Sequence, residues 1–493
     1  MENNEDKVLI DLKRVPLRSE REEIRNRHRK RFLVFLLCLF CLLAGISIGT
    51  MFAGRNRRQS SGNYAGAEEI ERIMKGYWLY SDQYEDLSAE LRNKALYGMT
   101  AYDFDPYTSY MSEEEMNSFS DSINRTYVGI GVQYSYVNDS ALILRVFKSS
   151  PAENAGLKAG DIITEIDGTD VKGLDSEQIK ELVLGEEGTV VKLKIDRGGE
   201  YMDVDVIRGK VDNTVYAYLE DDVIIMELES FGETTVEEVA RYLDEYKDCH
   251  KIIIDLRNDT GGYQTAVRDI SGLFIGPDEI YLRQKGIDGV EMIDRTPSGI
   301  RKYDNIDKIV VLTSENTASA AEVLTIVLKE KCNATIVGET TYGKGVIQTN
   351  RILTNGGVLK LTTYYWYSPN GVSIDKEGIH PDIEVKLPQI CYEYYFDMEE
   401  DEKYEYDSVS EPVRISQLAL EYLDYDIQRT DGYFDLSFSE ALVSFKQDHD
   451  LGDQAVLDKE TYLAIISETR REISGNPEKD TQLIRAKEIM NEN

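Results

Sequence analysis

The sequence predicts an α/β core with an inserted β-rich domain, an N-terminal transmembrane helix and a small all-α C-terminal domain. From residue 213 onward, strand patterns such as VIIMELESF and KIIIDL alternate with helical patterns, which is typical of an α/β core. Residues 124–209 contain several short strand patterns and one helical pattern. Residues 32–53 are 22 uncharged, mostly apolar residues, which is long enough to cross a bilayer.

The length of 493 residues and a hydrophobic fraction of 41% favour two to four domains. An acidic linker at residues 399–405 precedes the last of these domains, and we expect it to be solvated. The predicted order is a cytoplasmic tail (1–31), a transmembrane helix (32–53), an N-terminal helical region (64–121), the β-rich domain (124–209), the α/β core (210–390), a helical domain (412–472) and a polar tail (473–493).

The charge of the chain is strongly asymmetric. The whole chain nets −35, while the first 58 residues carry 13 Lys/Arg and 7 Asp/Glu, so the remainder nets −41. A polyanion would be repelled by most of this surface, which argues against nucleic acid as a partner.

The N-terminal apolar segment is expected to be an uncleaved membrane anchor. Ten Lys/Arg precede it and three follow closely, so the positive-inside rule predicts a single-pass protein of the cell membrane with a cytoplasmic N-terminus and an extracellular remainder. A cleaved signal peptide is the alternative, but its charged region is usually shorter than the 31 residues found here. The cysteine and histidine spacings predict neither a disulfide framework nor a metal site.

Ser319 is the candidate nucleophile. It lies among alanines in the segment SENTASAAE, after an apolar run at residues 309–312 that predicts a buried strand. A serine between a strand and a helix start is exposed next to free backbone N–H groups, which could hold an oxyanion. The alternative is that Ser319 only caps the helix or fills a small space.

Lys344 is the candidate general base. It is flanked by Gly343 and Gly345 in an apolar, β-branched context, which favours a buried amine over a solvated charge. Burial lowers the pKa of a lysine, and the neutral amine can accept the serine proton. Gln348 follows four residues later, so in an extended strand it would share a face with Lys344 and orient the amine.

The same segment could be mistaken for a nucleotide-binding loop. Gly338, Gly343 and Lys344 fit the spacing of a Walker motif, but Gly345 stands where Ser or Thr would hold magnesium. Strand-like residues also follow where a helix should begin. We therefore predict neither ATP nor any other cofactor.

These segments resemble the carboxyl-terminal processing proteases, serine peptidases of the periplasm or cell surface that use a Ser-Lys dyad. The resemblance covers residues 64–387 and includes TASAAE, GKG with its glutamine, DLRNDTGG, LKLTTYYWYSPNG and GIHPDIEV. It implies an α/β peptidase core in which Ser319 is the nucleophile, Lys344 the base and Gln348 the orienting residue. A Ser-His-Asp triad using His380 or His250 is the less favoured alternative.

The resemblance also suggests an oxyanion hole. A backbone N–H of Gly261 or Gly262, together with that of Ala320, would hold the developing charge. The family commonly has Asn-Pro before the two glycines, whereas this chain has Asp259 and Thr260. The loop of this chain therefore departs from the family pattern just before the two glycines.

The β-rich insertion resembles a bacterial PDZ domain, chiefly through SPAENAGLKAGDIITEIDG, in which Ile162, Ile163 and Ile166 predict a buried strand. Such domains capture a terminal carboxylate on backbone N–H groups while the peptide adds as a strand. A plain glycine turn is the alternative. The predicted peptide-binding residues are Val128, Gly129, Ile130 and Gly131 in the carboxylate loop, and Ile130, Val132, Ile179 and Leu182 around the terminal apolar side chain.

The C-terminal helical domain resembles a small three-helix peptidoglycan-binding domain. The resemblance rests on Asp431, Gly432, Phe434, Ala441 and Phe445. A helical cap or a dimerisation element explains the pattern equally well.

The sequence thus predicts a membrane-anchored serine endopeptidase that captures apolar C-termini of protein substrates and cleaves them outside the cytoplasm. A homodimer is a further expectation from the family. The alternative function is a catalytically silent PDZ scaffold that binds protein tails and cell wall. The intact Ser319, Lys344 and Gln348 favour the enzyme.

Overall fold

A computed structural model describes residues 65–211 and 214–492. The predicted cytoplasmic tail and the predicted transmembrane helix at residues 32–53 lie outside the described residues. None of the helices within the described ranges is both long and apolar enough to span a membrane. The chain divides into two compact units, one ending at Met99 and one beginning at Thr100.

The described part of the first unit consists of the two helices expected there. They are α1 (Ala65–Tyr77) and α2 (Leu87–Thr100), with a single 3-10 turn between them. Strand β1 (Ser109–Met111) and helix α3 (Glu113–Asn124) then open the second unit. Ser112 and Glu115 form a capping box at the start of α3, because each side chain accepts from the backbone N–H of the other.

The β-rich domain is built on a sheet in the order β3-β4-β5-β7-β8, with β6 paired to β5 and a separate β2–β9 pair. Ile163 and Ile166 are buried in its apolar core together with Ile130 and Ile179. Its elements are β2 (Tyr127–Gly129), β3 (Val132–Val137), β4 (Ser140–Val146), α4 (Pro151–Asn154), β5 (Ile162–Ile166), β6 (Thr169–Asp170), α5 (Ser176–Val183), β7 (Val190–Arg197), β8 (Glu200–Ile207) and β9 (Gly209–Val211).

The α/β core is a six-stranded sheet in the order β10-β11-β12-β15-β16-β19. Strand β10 is antiparallel to β11, and the other pairs are parallel. The strands are β10 (Val215–Glu220), β11 (Val223–Leu228), β12 (Lys251–Asp255), β15 (Lys308–Thr313), β16 (Thr335–Gly338) and β19 (Ile383–Glu384). Parallel strands require crossover connections, and the helical patterns between these strands supply them.

Both faces of this sheet are covered, as the continuous apolar runs of its strands require. Alternate residues such as Ile252 and Ile254 pack on one face against three helices. These helices are α6 (Thr235–Glu245), α7 (Gln264–Ile275) and α8 (Ala320–Cys332). The intervening residues, such as Ile253, face the opposite side.

The opposite face is covered by the C-terminal residues, which corrects our prediction of a polar tail at residues 473–493. Helix α12 (Thr481–Asn491) packs its apolar side on the sheet. Its buried apolar residues are Leu483, Ala486, Ile489 and Met490. They recur at helical spacing, but the charged residues between them made the segment look polar in sequence.

A second sheet lies beside the core in the order β1-β18-β13-β14, with β17 also paired to β18. Its remaining strands are β13 (Ile280–Gly286), β14 (Glu291–Arg295), β17 (Val346–Ile352) and β18 (Val358–Tyr367). This sheet carries the segment that follows the GKG motif.

The C-terminal domain has the three predicted helices, α9 (Glu411–Tyr422), α10 (Leu436–Asp448) and α11 (Lys459–Gly475). It also has a two-residue strand pair, β20 (Lys403–Tyr404) with β21 (Leu457–Asp458), so it is not strictly all-α. Phe434, Ala441 and Phe445 are buried in its core, which explains their presence by packing alone.

The predicted acidic linker at residues 399–405 is mostly exposed, whereas the residue just before it is packed. Met398 is buried, and its N–H donates to the side chain of Asn138 in the β-rich domain. The same Asn138 donates its own N–H to Asp397 Oδ1 at 2.6 Å. Because Met398 also packs in the apolar cluster of the C-terminal helices, this short segment joins the β-rich domain to them.

Candidate active site

Three loops meet at the carboxyl ends of adjacent parallel strands. The glycine loop follows β12, the turn with Ser319 follows β15, and the loop with Lys344 follows β16. Because these strands are neighbours in the sheet, their carboxyl ends bring the three loops together. This is the usual position of a ligand site in an open α/β sheet.

Ser319 has a strained backbone at the start of α8. Its φ is 56° and its ψ is −116°, a combination that a non-glycine residue rarely adopts. Such strain persists only where the surrounding contacts hold it, and it is concentrated at functional sites. The serine is half-buried.

The glycines beside Lys344 are required by close packing. A Cβ at Gly345 would lie 2.6 Å from the Cα of Asp375 and 2.4 Å from its Cβ. Trp366 is buried and its Nε1 donates to the Lys344 carbonyl at 2.8 Å. These contacts fix the backbone of Lys344, while its side chain remains half-buried.

Burial lowers the pKa of Lys344 below the ordinary lysine value, as the sequence predicted. The positive charge of Lys360 lowers it further, and the carboxylate of Glu322 opposes both effects. The Lys344 Nζ lies 4.8 Å from the ring centre of Tyr107. A pKa lowered in this way makes the neutral amine, which is the form a general base needs, more available.

Glu322 joins the serine turn to the lysine loop, and sequence reasoning missed it. Its Oε2 accepts the N–H of Ser319 at 2.8 Å and the N–H of Lys344 at 2.9 Å. Its Oε1 accepts from Thr341 Oγ1 and from Gly343 N–H, each at 2.6 Å. A glutamate three residues after a helix N-cap is a capping-box signal, which could have indicated the bond to Ser319 but not those to the lysine loop.

The carboxyl group of Glu322 is fully buried, and burial raises its pKa above the usual value although its four donors oppose the shift. A carboxylate shared in this way holds the two reactive segments at a fixed separation. In the described structure no hydrogen bond joins Ser319 Oγ to Lys344 Nζ. Catalytic hydrogen bonds of unliganded enzymes are commonly long and shorten when substrate binds.

Gln348 does not share a strand face with Lys344, which corrects our prediction. Strand β17 begins at Val346, after Lys344, so the alternation of side chains along this strand does not extend to the lysine. Gln348 Nε2 donates to Thr362 Oγ1 at 3.4 Å, and among the residues described it has no hydrogen bond to Lys344. The orienting role of Gln348 stays a prediction.

Gly261 lies directly against the serine turn. A Cβ at this position would be 2.8 Å from Ser319 Cβ and 2.9 Å from Ala320 N, and its φ is 105°. Its N–H donates to Asp259 Oδ1 at 2.7 Å, so this donor is already engaged. Within the described ranges neither Gly262 N–H nor Ala320 N–H donates a hydrogen bond, so these two remain available to an oxyanion.

Asp259 takes a position where the family commonly has asparagine, and it is fully buried. Its carbonyl accepts the N–H of Ala318 at 3.1 Å, which ties the glycine loop to the serine turn. Its Oδ2 is buried without a hydrogen-bond partner in the described part of the chain. Burial raises the pKa of this carboxyl well above its usual value.

The two histidines of the alternative Ser-His-Asp triad form hydrogen bonds to residues other than Ser319. His380 Nδ1 is 3.0 Å from Thr340 Oγ1, and His250 Nδ1 is 2.8 Å from the carbonyl of Asn305. Both side chains are exposed. Across residues 65–211 and 214–492, no three His, Cys, Asp or Glu side chains are grouped so that they could hold a metal ion.

The predicted peptide-binding residues of the β-rich domain are only partly accessible. Val128 and Gly129 lie in β2 and pair with Lys210 and Gly209, so they form a strand rather than a free loop. Gly131 follows with a φ of 80°. Ile130 and Ile179 are buried in the domain core, whereas Val132 and Leu182 are half-buried.

Two family models match the chain. The model of Peptidase family S41 matches residues 222–385, and the model of the PDZ domain matches residues 128–207. The first range contains Ser319, Lys344 and the glycine loop. The second is the β-rich domain.

Curated relatives extend over most of the chain. It is 30% identical to a probable CtpA-like serine protease of Staphylococcus haemolyticus, covering 87% of this chain and 87% of the relative. It is 31% identical to the carboxy-terminal processing proteases CtpA and CtpB of Bacillus subtilis, covering 86% and 80% of this chain and 91% and 83% of those relatives. Among solved structures, the photosystem II D1 C-terminal processing protease matches with a TM-score of 0.41 and 24% identity, covering 66% of this chain and 93% of that one.

Proposed function

Because the chain belongs to the S41 family of serine-type carboxy-terminal processing proteases and carries a PDZ domain, we propose that it cleaves protein substrates by a Ser-Lys mechanism at the outer face of the cell membrane. The observation that carries the mechanism is the Glu322 carboxylate, whose Oε2 accepts the N–H groups of both Ser319 and Lys344. One side chain thereby fixes the nucleophile turn beside the lysine loop.

In the acylation step, neutral Lys344 accepts the proton of the Ser319 hydroxyl while Oγ attacks the carbonyl carbon of the scissile bond. The carbonyl oxygen becomes an oxyanion, which the N–H groups of Gly262 and Ala320 hold. The intermediate then collapses, the C–N bond breaks, and the leaving amine takes the proton from the Lys344 ammonium. The products are an ester on Ser319 and the released C-terminal fragment.

In the deacylation step, Lys344 accepts a proton from water as the water oxygen attacks the ester carbonyl. The same two N–H groups hold the second oxyanion. When the C–O bond breaks, Ser319 Oγ regains a proton from Lys344. The enzyme returns to its starting state with no metal or cofactor in either step.

The PDZ domain is proposed to hold the C-terminal end of the substrate by strand addition, with Val132 and Leu182 contacting its last apolar side chain. Support comes from the half-buried position of these two residues. A peptide with an amidated C-terminus should bind the enzyme more weakly than the free acid. Equal affinity of the two peptides would exclude carboxylate capture.

Anchoring in the membrane is proposed from composition, since residues 32–53 lie outside the described residues. The uncharged segment and the excess of Lys/Arg before it support a cytoplasmic N-terminus. Protease digestion of intact cells tests this orientation. Digestion of the region after residue 58 in intact cells is expected, and its protection would overturn the proposal.

The Ser-Lys mechanism is tested with a peptide substrate and the Ser319→Ala, Lys344→Ala and His380→Ala variants. Loss of a positioned general base lowers kcat by about 10²- to 10⁴-fold. The kcat of Lys344→Ala should therefore be lower than that of the wild type by at least about 10²-fold. His380→Ala should keep most activity because its ring is bonded to Thr340. A folded Lys344→Ala variant with wild-type kcat would exclude lysine as the base.

The pH dependence separates the two bases as well. Activity of the wild-type enzyme should rise with pH as the Lys344 ammonium loses its proton, at a pH below that of an ordinary lysine because burial lowers its pKa. If the rise of activity with pH is unchanged in His380→Ala, the result supports the proposal. If that rise disappears in His380→Ala, the result contradicts it.

A further inference from the structure

The C-terminal helix α12 reaches the catalytic loops as well as the sheet. Its N-cap residue, Asp480, lies at the carboxyl end of β12 and contacts Arg257. Arg257 belongs to the segment DLRNDTGG, which leads from β12 to Asp259 and Gly261. The helix thus begins against the segment that forms one side of the proposed oxyanion hole.

Arg257 is held between two carboxylates. Its Nε donates to Asp255 Oδ1 at 2.9 Å and its Nη2 to Asp255 Oδ2 at 2.6 Å. On the other side, Nη1 donates to Asp480 Oδ1 at 3.0 Å and Nη2 lies 2.8 Å from Asp480 Oδ2. Bidentate pairs of this kind fix the guanidinium plane.

The three partners are largely withdrawn from water. The side chains of Arg257 and Asp255 are each 14% exposed, and that of Asp480 is 22% exposed. Burial alone would raise the pKa of Asp255, but the Arg257 guanidinium holds it below its usual value. Removing one member of such a cluster leaves a buried charge with fewer partners, which is costly.

The backbone around Arg257 is bonded to the serine turn. The carbonyl of Arg257 accepts from Ser314 Oγ, and the carbonyl of Leu256 accepts from Thr317 Oγ1 at 2.8 Å. Two residues later, the carbonyl of Asp259 accepts from Ala318 N–H. A displacement of Arg257 would therefore shift both the glycine loop and the turn that presents Ser319.

We propose that Asp480 is a positioning residue for peptide-bond cleavage, which binds Arg257 and so fixes the loop of residues 256–262 against the Ser319 turn. The inference rests on the proposed function, because its kinetic effect requires that loop to hold the oxyanion. In this role α12 is part of the active-site scaffold as well as a cover for the sheet.

The test compares Asp480→Asn with Lys487→Gln in the full chain. Asparagine caps a helix as well as aspartate does, so Asp480→Asn keeps the bond to Leu483 N–H and removes only the charge facing Arg257. Lys487→Gln removes another ion pair between α12 and the core, to Glu220, about two helical turns from Asp480. The two variants thus lose one ion pair each.

Asp480→Asn should lower kcat about 10-fold or more with KM changed less than about 2-fold, which is the kinetic equivalent of losing one charged hydrogen bond. Lys487→Gln should keep the wild-type kcat. The proposal would be overturned if the two variants had the same kcat. It would also be overturned if both lost kcat to the same extent and both lost thermal stability to the same extent.

Hydrogen exchange of backbone amides tests the positioning role of Asp480 independently of the proposed Ser-Lys mechanism. Amides of residues 256–262 should exchange faster in Asp480→Asn than in Lys487→Gln, whether or not the Ser-Lys mechanism holds. Ser319→Ala and Lys344→Ala, assayed in parallel, report on the mechanism alone. Unchanged exchange in Asp480→Asn refutes the positioning role even if both mechanism variants are inactive.

Discussion

The carboxylate of Glu322 accepts four hydrogen bonds from the serine turn and the lysine loop. In Glu322→Gln, one oxygen becomes an NH2 group that faces donors, so at least two of these bonds are lost. We expect the free energy of unfolding to fall by about 1–3 kcal/mol and kcat to fall more strongly than KM rises. Urea denaturation and steady-state kinetics measure the two effects.

Glu315→Gln is the matched control for that variant. Glu315 is exposed on the turn before Ser319, so the same substitution there should change neither stability nor kcat. If the two variants behaved alike, Glu322 would have no positioning role.

A second prediction concerns the base itself. After burial, the positive charge of Lys360 is the next cause that lowers the pKa of Lys344. Lys360→Met should therefore move the rising limb of kcat/KM to higher pH, because less repulsion then opposes the ammonium form. Lys360→Arg keeps the charge and should keep the limb near its wild-type position. A limb that stays in place in Lys360→Met would show that Lys360 does not tune the base.

A third prediction concerns Asp259. Its pKa is raised in the folded protein, so the folded state binds the proton more tightly than the unfolded chain, whose aspartate pKa is about 3.9. The stability from this protonation is fully present below the unfolded pKa and is lost as pH rises through the folded pKa. Asp259→Asn has no such loss.

The free energy of unfolding of Asp259→Asn, relative to wild type, should therefore increase from acidic to alkaline pH. Urea denaturation at several pH values gives this difference directly. A difference that does not vary with pH would mean that Asp259 is ionised in the folded protein like an ordinary surface carboxylate.

Sequence reasoning selected Ser319 and Lys344 as candidates because each stands in a local pattern that departs from its surroundings. Glu322, by contrast, obtains its role from two bonds to a loop more than 20 residues away. Such partners depend on how loops pack, and neither spacing nor composition records them. The expectation that Gln348 and Lys344 share a strand face failed because β17 begins only after Lys344, and spacing does not show where a strand begins.

Among single elements, the packing of helix α12 on the sheet can be tested with one substitution. Leu483 is buried against the sheet face formed by residues such as Ile253 and Val310. Leu483→Ala should lower the free energy of unfolding by about 2–5 kcal/mol, as is usual for a buried leucine. The matched control is Leu436→Ala at the exposed start of α10, for which we expect little change. A Leu483→Ala variant as stable as this control would contradict the packing.

The strands of the core were predictable because each is a short apolar run bounded by turn residues. Residues 309–312, for example, lie within β15. The C-terminal helix was missed although Leu483, Ala486 and Ile489 recur at helical spacing, because its charged residues dominate the composition. For this segment, the periodicity of the apolar residues indicates a packed helix, whereas the average polarity indicates a solvated tail.

At the scale of the whole molecule, the PDZ domain and the C-terminal helices share one apolar cluster. Val137, Leu142 and Ile162 of the PDZ sheet pack among residues of α9, α10 and α11, and Ser467 Oγ in α11 donates to the carbonyl of Gly160. The sequence predicted both domains and their order. It could not predict this contact, because the spacing of residues along one domain does not specify its neighbour.

Domains that share a core should unfold together. Native-state hydrogen exchange is therefore expected to give the slowest amides of β4 and of α11 the same free energy of opening. Opening of α11 at a clearly lower free energy than β4 would show that the helical domain detaches while the PDZ domain stays folded.

The contact between Asp480 and Arg257 also has a consequence for biosynthesis. The ribosome makes Ser319 and Lys344 well before Asp480, and at about 5–20 residues per second the interval from Lys344 to Asp480 is roughly 7 to 27 s. During this interval the nascent peptidase has its reactive side chains but not the residue that fixes Arg257. If α12 positions the loop as proposed, the order of synthesis itself delays proteolysis until the last helix has folded onto the sheet.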